Sequence, residues 1–189
     1  MRDLIAMAVS PEMISLAGGL PANDCLPVEA FQACIDRILC RDGYRALQYG
    51  PQFMPLREWL ADYMNKHGVA CTPENIHISN GAQHGLAILS RLLADPGDTA
   101  IIESITFTGV QQITAGRRLN VRTVPTDLKS GVEVYALERA FLKQPRPQFA
   151  VLIPNFHNPL GVSISLAKRE RIVTLANEYQ VPIIEDDPY

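Results

Sequence analysis

The chain has 189 residues, 47% hydrophobic and 20% charged, which is enough apolar material for one sizeable core and excludes disordered or low-complexity classes. Its 17 Lys plus Arg against 20 Asp plus Glu give a formal net charge of -3, with no basic footprint for nucleic acid or an anionic membrane. Apolar runs such as 149–153 are far too short to span a bilayer, and the first residues lack the long apolar centre of a secretory signal, so a cytoplasmic address is expected.

The first two dozen residues read as an arm, because Gly18, Gly19, Pro21 and Pro27 punctuate them too often for regular structure. A helix is predicted over about 28–40, with Phe31, Ile35, Ile38 and Leu39 as its apolar stripe, closed by residues 41–43. A second helix should begin near Pro55, a residue suited to a first turn, and bury Leu56, Leu60, Tyr63 and Met64 before ending near Gly68. Short β-rich runs then alternate with helices. Strands are predicted at 76–79, 99–103, 121–124, 149–153 and 181–185. Helices are predicted at 82–93, 108–116, 135–143 and 166–179. The first of these helices should point Leu86, Leu89 and Leu93 inward, and the last should be capped by Ser165. Cys25, Cys34, Cys40 and Cys71 show no metal or redox spacing, and Cys34 and Cys40 read as small core hydrophobes of one helix.

Strands that are apolar almost throughout and separated by helices indicate an α/β fold: a mostly parallel sheet with helices on both faces, preceded by the arm and its helix. Ligands of such sheets gather at the carboxyl ends of the strands. Three segments stand there. The run Ser79-Asn80-Gly81-Ala82-Gln83-His84-Gly85 enters a helix whose free N–H groups suit a phosphate or carboxylate, although strand–glycine–helix turns are also common as plain structure. Pro154-Asn155-Phe156-His157-Asn158-Pro159-Leu160-Gly161 is a loop of set path that offers the Asn158 amide, or an ordinary Asn-Pro turn. Glu185-Asp186-Asp187-Pro188-Tyr189 crowds three carboxylates at a strand end, which calls for a nearby cation, a bound proton or plain solvation.

The order and spacing of these segments resemble the fold-type I pyridoxal-phosphate aminotransferases, in the branch that includes aminoadipate and kynurenine aminotransferases. The resemblance runs from Ile14-Ser15-Leu16-Ala17-Gly18-Gly19-Leu20-Pro21 through Leu47-Gln48-Tyr49-Gly50 and Pro55-Leu56-Arg57 to Asn158-Pro159-Leu160-Gly161 and Asp186-Asp187-Pro188-Tyr189. It implies pyridoxal 5'-phosphate as cofactor and amino-group transfer between an amino acid and a 2-oxo acid. Carried over residue by residue, Asp186 pairs with the pyridine nitrogen, and Asn158 and Tyr189 hydrogen-bond the ring's phenolic oxygen. Gly81, Ala82 and Gln83 hold the phosphate, and Phe107 stacks on the ring. Tyr49 reaches the phosphate of a neighbouring subunit in a homodimer with shared sites, and Gly18 and Gly19 lie on the substrate side. His157 is left as a supporting or plain loop histidine.

The chain also departs from the family pattern. Phe53-Met54 stands where a glycine is usual. The family's Schiff-base lysine follows the Asp-x-x-Tyr motif, so it is expected beyond residue 189, and no catalytic residue is assigned in this chain. Lys66, Lys129, Lys143 and Lys168 all lie upstream, and Ser165-Leu166-Ala167-Lys168 reads as a coincidence at a helix start. The expectation is an N-terminal fragment, inactive alone: residues 1–45 as arm and helix, residues 46–189 as the first part of the cofactor domain. Two rivals are a non-catalytic effector or binding domain of a transcription regulator and, further behind, a metal enzyme built on Glu185, Asp186 and Asp187.

Overall fold

The structure, a computed structural model, describes residues 21–188. The predicted arm up to residue 20, with Gly18 and Gly19, and Tyr189 lie outside the described residues. The chain divides into two compact units between Trp59 and Leu60.

In the first unit a 3-10 turn (Asn23–Cys25) leads to helix α1 (Val28–Asp42), which stops at Gly43, and a second 3-10 turn follows (Gly43–Leu47). The stripe Phe31, Ile35, Ile38 and Leu39 keeps its helical spacing, yet all four residues are exposed and no α1 residue is buried. Cys34 and Cys40 are therefore exposed free thiols rather than core hydrophobes. Helix α2 (Met54–Lys66) has Pro55 in its first turn, as expected, but buries only Ala61; Leu56 and Tyr63 are exposed.

The second unit holds the sheet. Its strands are β1 (Thr99–Glu103), β2 (Asn120–Val124), β5 (Pro147–Leu152) and β6 (Ile183–Glu185), all parallel in the order β2-β1-β5-β6. Between β2 and β5 the chain makes a small antiparallel hairpin, β3 (Thr126–Asp127) with β4 (Gly131–Val132), which periodicity did not reveal. The helices are α3 (Ala82–Leu93), α4 (Thr108–Gly116), α5 (Val134–Leu142) and α6 (Leu166–Tyr179).

The two-residue period of the strands decides the layers. Ile101, Ala150 and Leu152 face one side, where they meet Leu137 and Phe141 of α5 and Leu175 of α6. Ala100, Ile102, Phe149 and Val151 face the other, where they meet Leu86 of α3 and Val110 of α4. Helices thus cover both faces of a parallel sheet, as the apolar strands implied.

Two local expectations are corrected and a third is met in position only. Residues 76–79, predicted as a strand, join neither sheet among the described residues. Along α3 the inward face is Leu86, Ser90 and Leu93; Leu89 is 40% exposed, since the helix turns Ser90 rather than Leu89 toward the core. Ser165 stands at the N-cap of α6, yet its side chain makes no capping hydrogen bond.

These faces predict the cost of cutting into them. Leu137→Ala, at a fully buried site, should lower unfolding free energy by about 2–5 kcal/mol. Leu89→Ala should cost no more than about 0.5 kcal/mol. Urea unfolding of the two variants checks both, and equal losses would restore Leu89 to the core.

Candidate functional site

Because all four strands run parallel, the loops that leave β1, β5 and β6 emerge at one rim of the sheet. The loop after β1 leads to Phe107, at the N-cap of α4 and 37% exposed. The loop after β5 carries Asn158, and the one after β6 carries Asp186.

Gly81 is the N-cap of α3 with φ 84°, a backbone state that side chains disfavour. From there its carbonyl accepts the N–H groups of His84 and Gly85 at 3.1 and 3.2 Å, and the Ser79 hydroxyl at 2.9 Å. The N–H groups of Ala82 and Gln83 keep no partner among the described residues, and no side chain caps the helix. Two free amides at the positive end of a twelve-residue helix suit an anion.

The Gln83 side chain faces elsewhere. Its amide donates to the Gly109 carbonyl at 3.0 Å and so ties the start of α3 to the start of α4. A Cβ on Gly109 would sit 2.2 Å from Gln83 Oε1 and 2.5 Å from the Phe107 ring, so a side chain there would have to displace both. The structure therefore brings Gly81, Ala82, Gln83 and Phe107 together through a residue that sequence reading passed over. Its only sequence signal was a glycine in the first turn of a helix.

The other two loops are joined by Asn155. Its amide nitrogen donates to Asp187 Oδ2 at 2.7 Å, and its oxygen accepts from Arg169 at 2.6 Å. The Asp186 N–H donates to the Leu152 carbonyl at 3.0 Å, continuing the β5–β6 ladder. The adjacent acids consequently differ. Asp187 is engaged, whereas the Asp186 carboxylate, half-buried, has no hydrogen-bond or ion-pair partner among the described residues. Burial pushes the Asp186 carboxyl above the usual carboxylate range, and the neighbouring Asp187 charge pushes the same way. A cation placed against Asp186 would relieve both effects.

Asn158 is exposed, and His157 beside it is buried. Tyr49 belongs to the first unit, where it is fully exposed and its N–H donates to the Gln48 side-chain oxygen at 2.9 Å. Lys168 does not approach a site of this kind: its ammonium donates to Ser130 Oγ and to the carbonyls of Gly131 and Val132 at 2.8–3.3 Å. Among the described residues no group of three His, Cys, Asp or Glu could hold a metal ion. No helix among them is long and apolar enough to cross a membrane.

Comparison with known proteins fits this arrangement. The family model "Aminotransferase class I and II" matches residues 11–189. The chain is similar to the 2-aminoadipate transaminase of Thermus thermophilus, at 33% identity over 100% of this chain and 46% of that one. The crystal structure of LysN, the alpha-aminoadipate aminotransferase of Thermus thermophilus, complexed with N-(5'-phosphopyridoxyl)-L-leucine, superposes with a TM-score of 0.88 at 33% identity, again over 100% and 46%. An uncharacterized HTH-type transcriptional regulator of Escherichia coli, YdcR, is 28% identical over 99% of this chain and 40% of its own. The chain thus spans about half the length of the curated relatives it matches.

Asp186 makes a pH-dependent prediction. Its folded pKa lies above the unfolded value, so its contribution to stability is full below the ordinary carboxylate pKa of 3.8 and is lost as pH rises through the raised value. Asp186→Asn in the ligand-free protein should therefore melt higher than wild type at neutral pH, with the gain vanishing at low pH. Thermal melts across pH check this; an equal gain at every pH would assign the effect to packing instead of charge.

Proposed function

Because the chain belongs to the class I and II aminotransferases, we propose that it forms the N-terminal part of a pyridoxal 5'-phosphate enzyme that moves an amino group between an amino acid and a 2-oxo acid. Residues 1–45 would serve as arm and helix, and residues 46–189 as the first part of the cofactor domain. When bound, the cofactor supplies a protonated ring that accepts the electrons released as an amino acid loses its α-proton.

The observation that carries this reading is Asp186. A half-buried carboxylate without a partner, destabilised in its charged form, is what a pyridinium nitrogen requires: the pair forms at a cost already met in folding. Asp186 would hold that nitrogen in its protonated state. The free amides of Ala82 and Gln83, beside Gly81, would take the phosphate, and Phe107 would lie against the ring. Asn158 and Tyr189 would donate hydrogen bonds to the ring oxygen, and Gly18 and Gly19 would line the substrate side. Tyr49 would reach the phosphate of a neighbouring subunit, giving a cytoplasmic homodimer with shared sites.

No lysine of the chain occupies the position that the family's Schiff base requires, and Lys168 is already committed to three acceptors. This chain alone should then bind the cofactor weakly and form no covalent adduct with it. Borohydride treatment of chain plus pyridoxal 5'-phosphate, followed by peptide mass analysis, should find no stoichiometric reduced lysine. A specific adduct together with turnover would overturn the reading.

In the protein that carries this chain, Asp186→Ala should slow amino transfer by roughly two to three orders of magnitude, the scale of removing a preorganised electrostatic partner. Asp187→Ala should act mainly through the Asn155 contact and cost far less. Single-turnover rates decide, and the reverse ranking would show the register of the motif to be wrong. The likeness to YdcR supports a second reading, a non-catalytic effector domain of a regulator. Under it, the protein would bind the cofactor or an amino acid without turnover.

A further inference from the structure

Beneath the Asn158 loop lies a pair of ionisable groups that the proposed reaction does not use. Glu103, the last residue of β1, is 0% exposed, and His157 is 1% exposed. A carboxylate in an apolar interior is costly unless its lone pairs are used. Thr126 Oγ1 donates to Glu103 Oε1 at 2.9 Å, and the Ile153 N–H donates to Oε2 at 3.0 Å. His157 Nε2 stands 3.2 Å from that same Oε2, at ion-pair distance but off the hydrogen-bond line. Glu103 therefore reaches from the central strand to the hairpin, to the end of β5 and to the ring of the residue before Asn158.

His157 also closes the loop. Its N–H donates to the Val162 carbonyl at 2.8 Å, and its carbonyl accepts the Gly161 N–H at 2.5 Å. Its Nδ1 accepts the Leu160 N–H at 3.4 Å. With Nδ1 an acceptor, these hydrogen bonds assign the ring proton to Nε2, facing the carboxylate. An apolar pair of the same volume could fill this space at similar stability, but it would offer the Leu160 N–H no ring acceptor. Asn158 itself has no side-chain partner among the described residues, so its direction is inherited from the backbone that His157 closes.

We propose that Glu103 and His157 are the positioning residues of the Asn158 loop: the carboxylate orients the imidazole, and the imidazole with its backbone sets where the Asn158 amide meets the cofactor's ring oxygen. The cofactor clause rests on the functional reading above; the loop clause does not.

The test begins with the ligand-free protein that carries this chain, reading amide hydrogen exchange at Leu160 and Gly161, with Ile101 and Val151 as core references. His157→Leu and Glu103→Leu should speed exchange at the two loop amides by about tenfold or more, with the core references moving by less than about twofold. If Glu103→Leu does not fold, Glu103→Gln is read in its place and should move the loop amides in the same direction. His157→Gln, whose side-chain amide keeps a donor for Glu103, should restore slow exchange. Pyridoxal 5'-phosphate binding, followed by its visible absorbance, should weaken by about tenfold in His157→Leu and recover in His157→Gln. Unchanged loop exchange, equal acceleration of loop and core, or failure of His157→Gln to rescue would overturn the proposal. If wild type binds no pyridoxal 5'-phosphate while the loop amides respond as stated, the functional reading falls and the positioning of the loop stands.

Discussion

The parallel pairing of β1 with β2 on one side and β5 on the other is the constraint from which the candidate site follows. Parallel strands send all their carboxyl ends to one rim, and each must then leave the sheet through a loop and return by a helix. Phe107, Asn158 and Asp186 are far apart in the chain but are successive exits from the same rim. The ladder that stabilises the core is thus also what gathers the polar residues. Alternation along β1 and β5 separates two apolar faces, and the helices that cover them point their first turns toward the loops.

Side chains add to the backbone hydrogen bonds that hold these loops. Arg169 donates to the carbonyls of Ile164 and Pro154 and to the Asn155 side chain, at 2.6–2.9 Å, so one guanidinium spans the return path after β5. Its planar fork of donors suits such a task better than an ammonium would. Lys168, one residue earlier, holds the β3–β4 hairpin through three acceptors. Neighbouring cations of α6 therefore stabilise two different loops.

Adjacent residues meet opposite electrostatic fates at the end of β6. Asp187 gains an amide donor from Asn155, whereas Asp186 is desolvated and faces its neighbour's charge. A fold selected for stability alone would have no use for that arrangement. The proposed function uses both features of this rim, the unsatisfied carboxylate for a cationic end of the ligand and the two free helix amides for an anionic end.

Composition and periodicity alone determined the fold class, because apolar runs separated by helical stripes can be buried only by a parallel sheet covered on both faces. The helices 108–116 and 166–179 and the strand 99–103 were legible to the residue for the same reason, since there local pattern and tertiary burial agree. Motif order pointed to Asp186, Asn158 and the Gly81 turn. What only the tertiary structure decided are matters of partnership between distant segments. Residues 76–79 have strand composition but join neither sheet among the described residues. Phe31 and Ile35 have a core pattern but no burial. Glu103 and His157, separated by more than fifty positions' worth of unremarkable sequence, become a buried pair. Periodicity reports which face of an element is apolar; it carries no information about what that face meets, because the meeting depends on loops and crossovers that bring remote residues together.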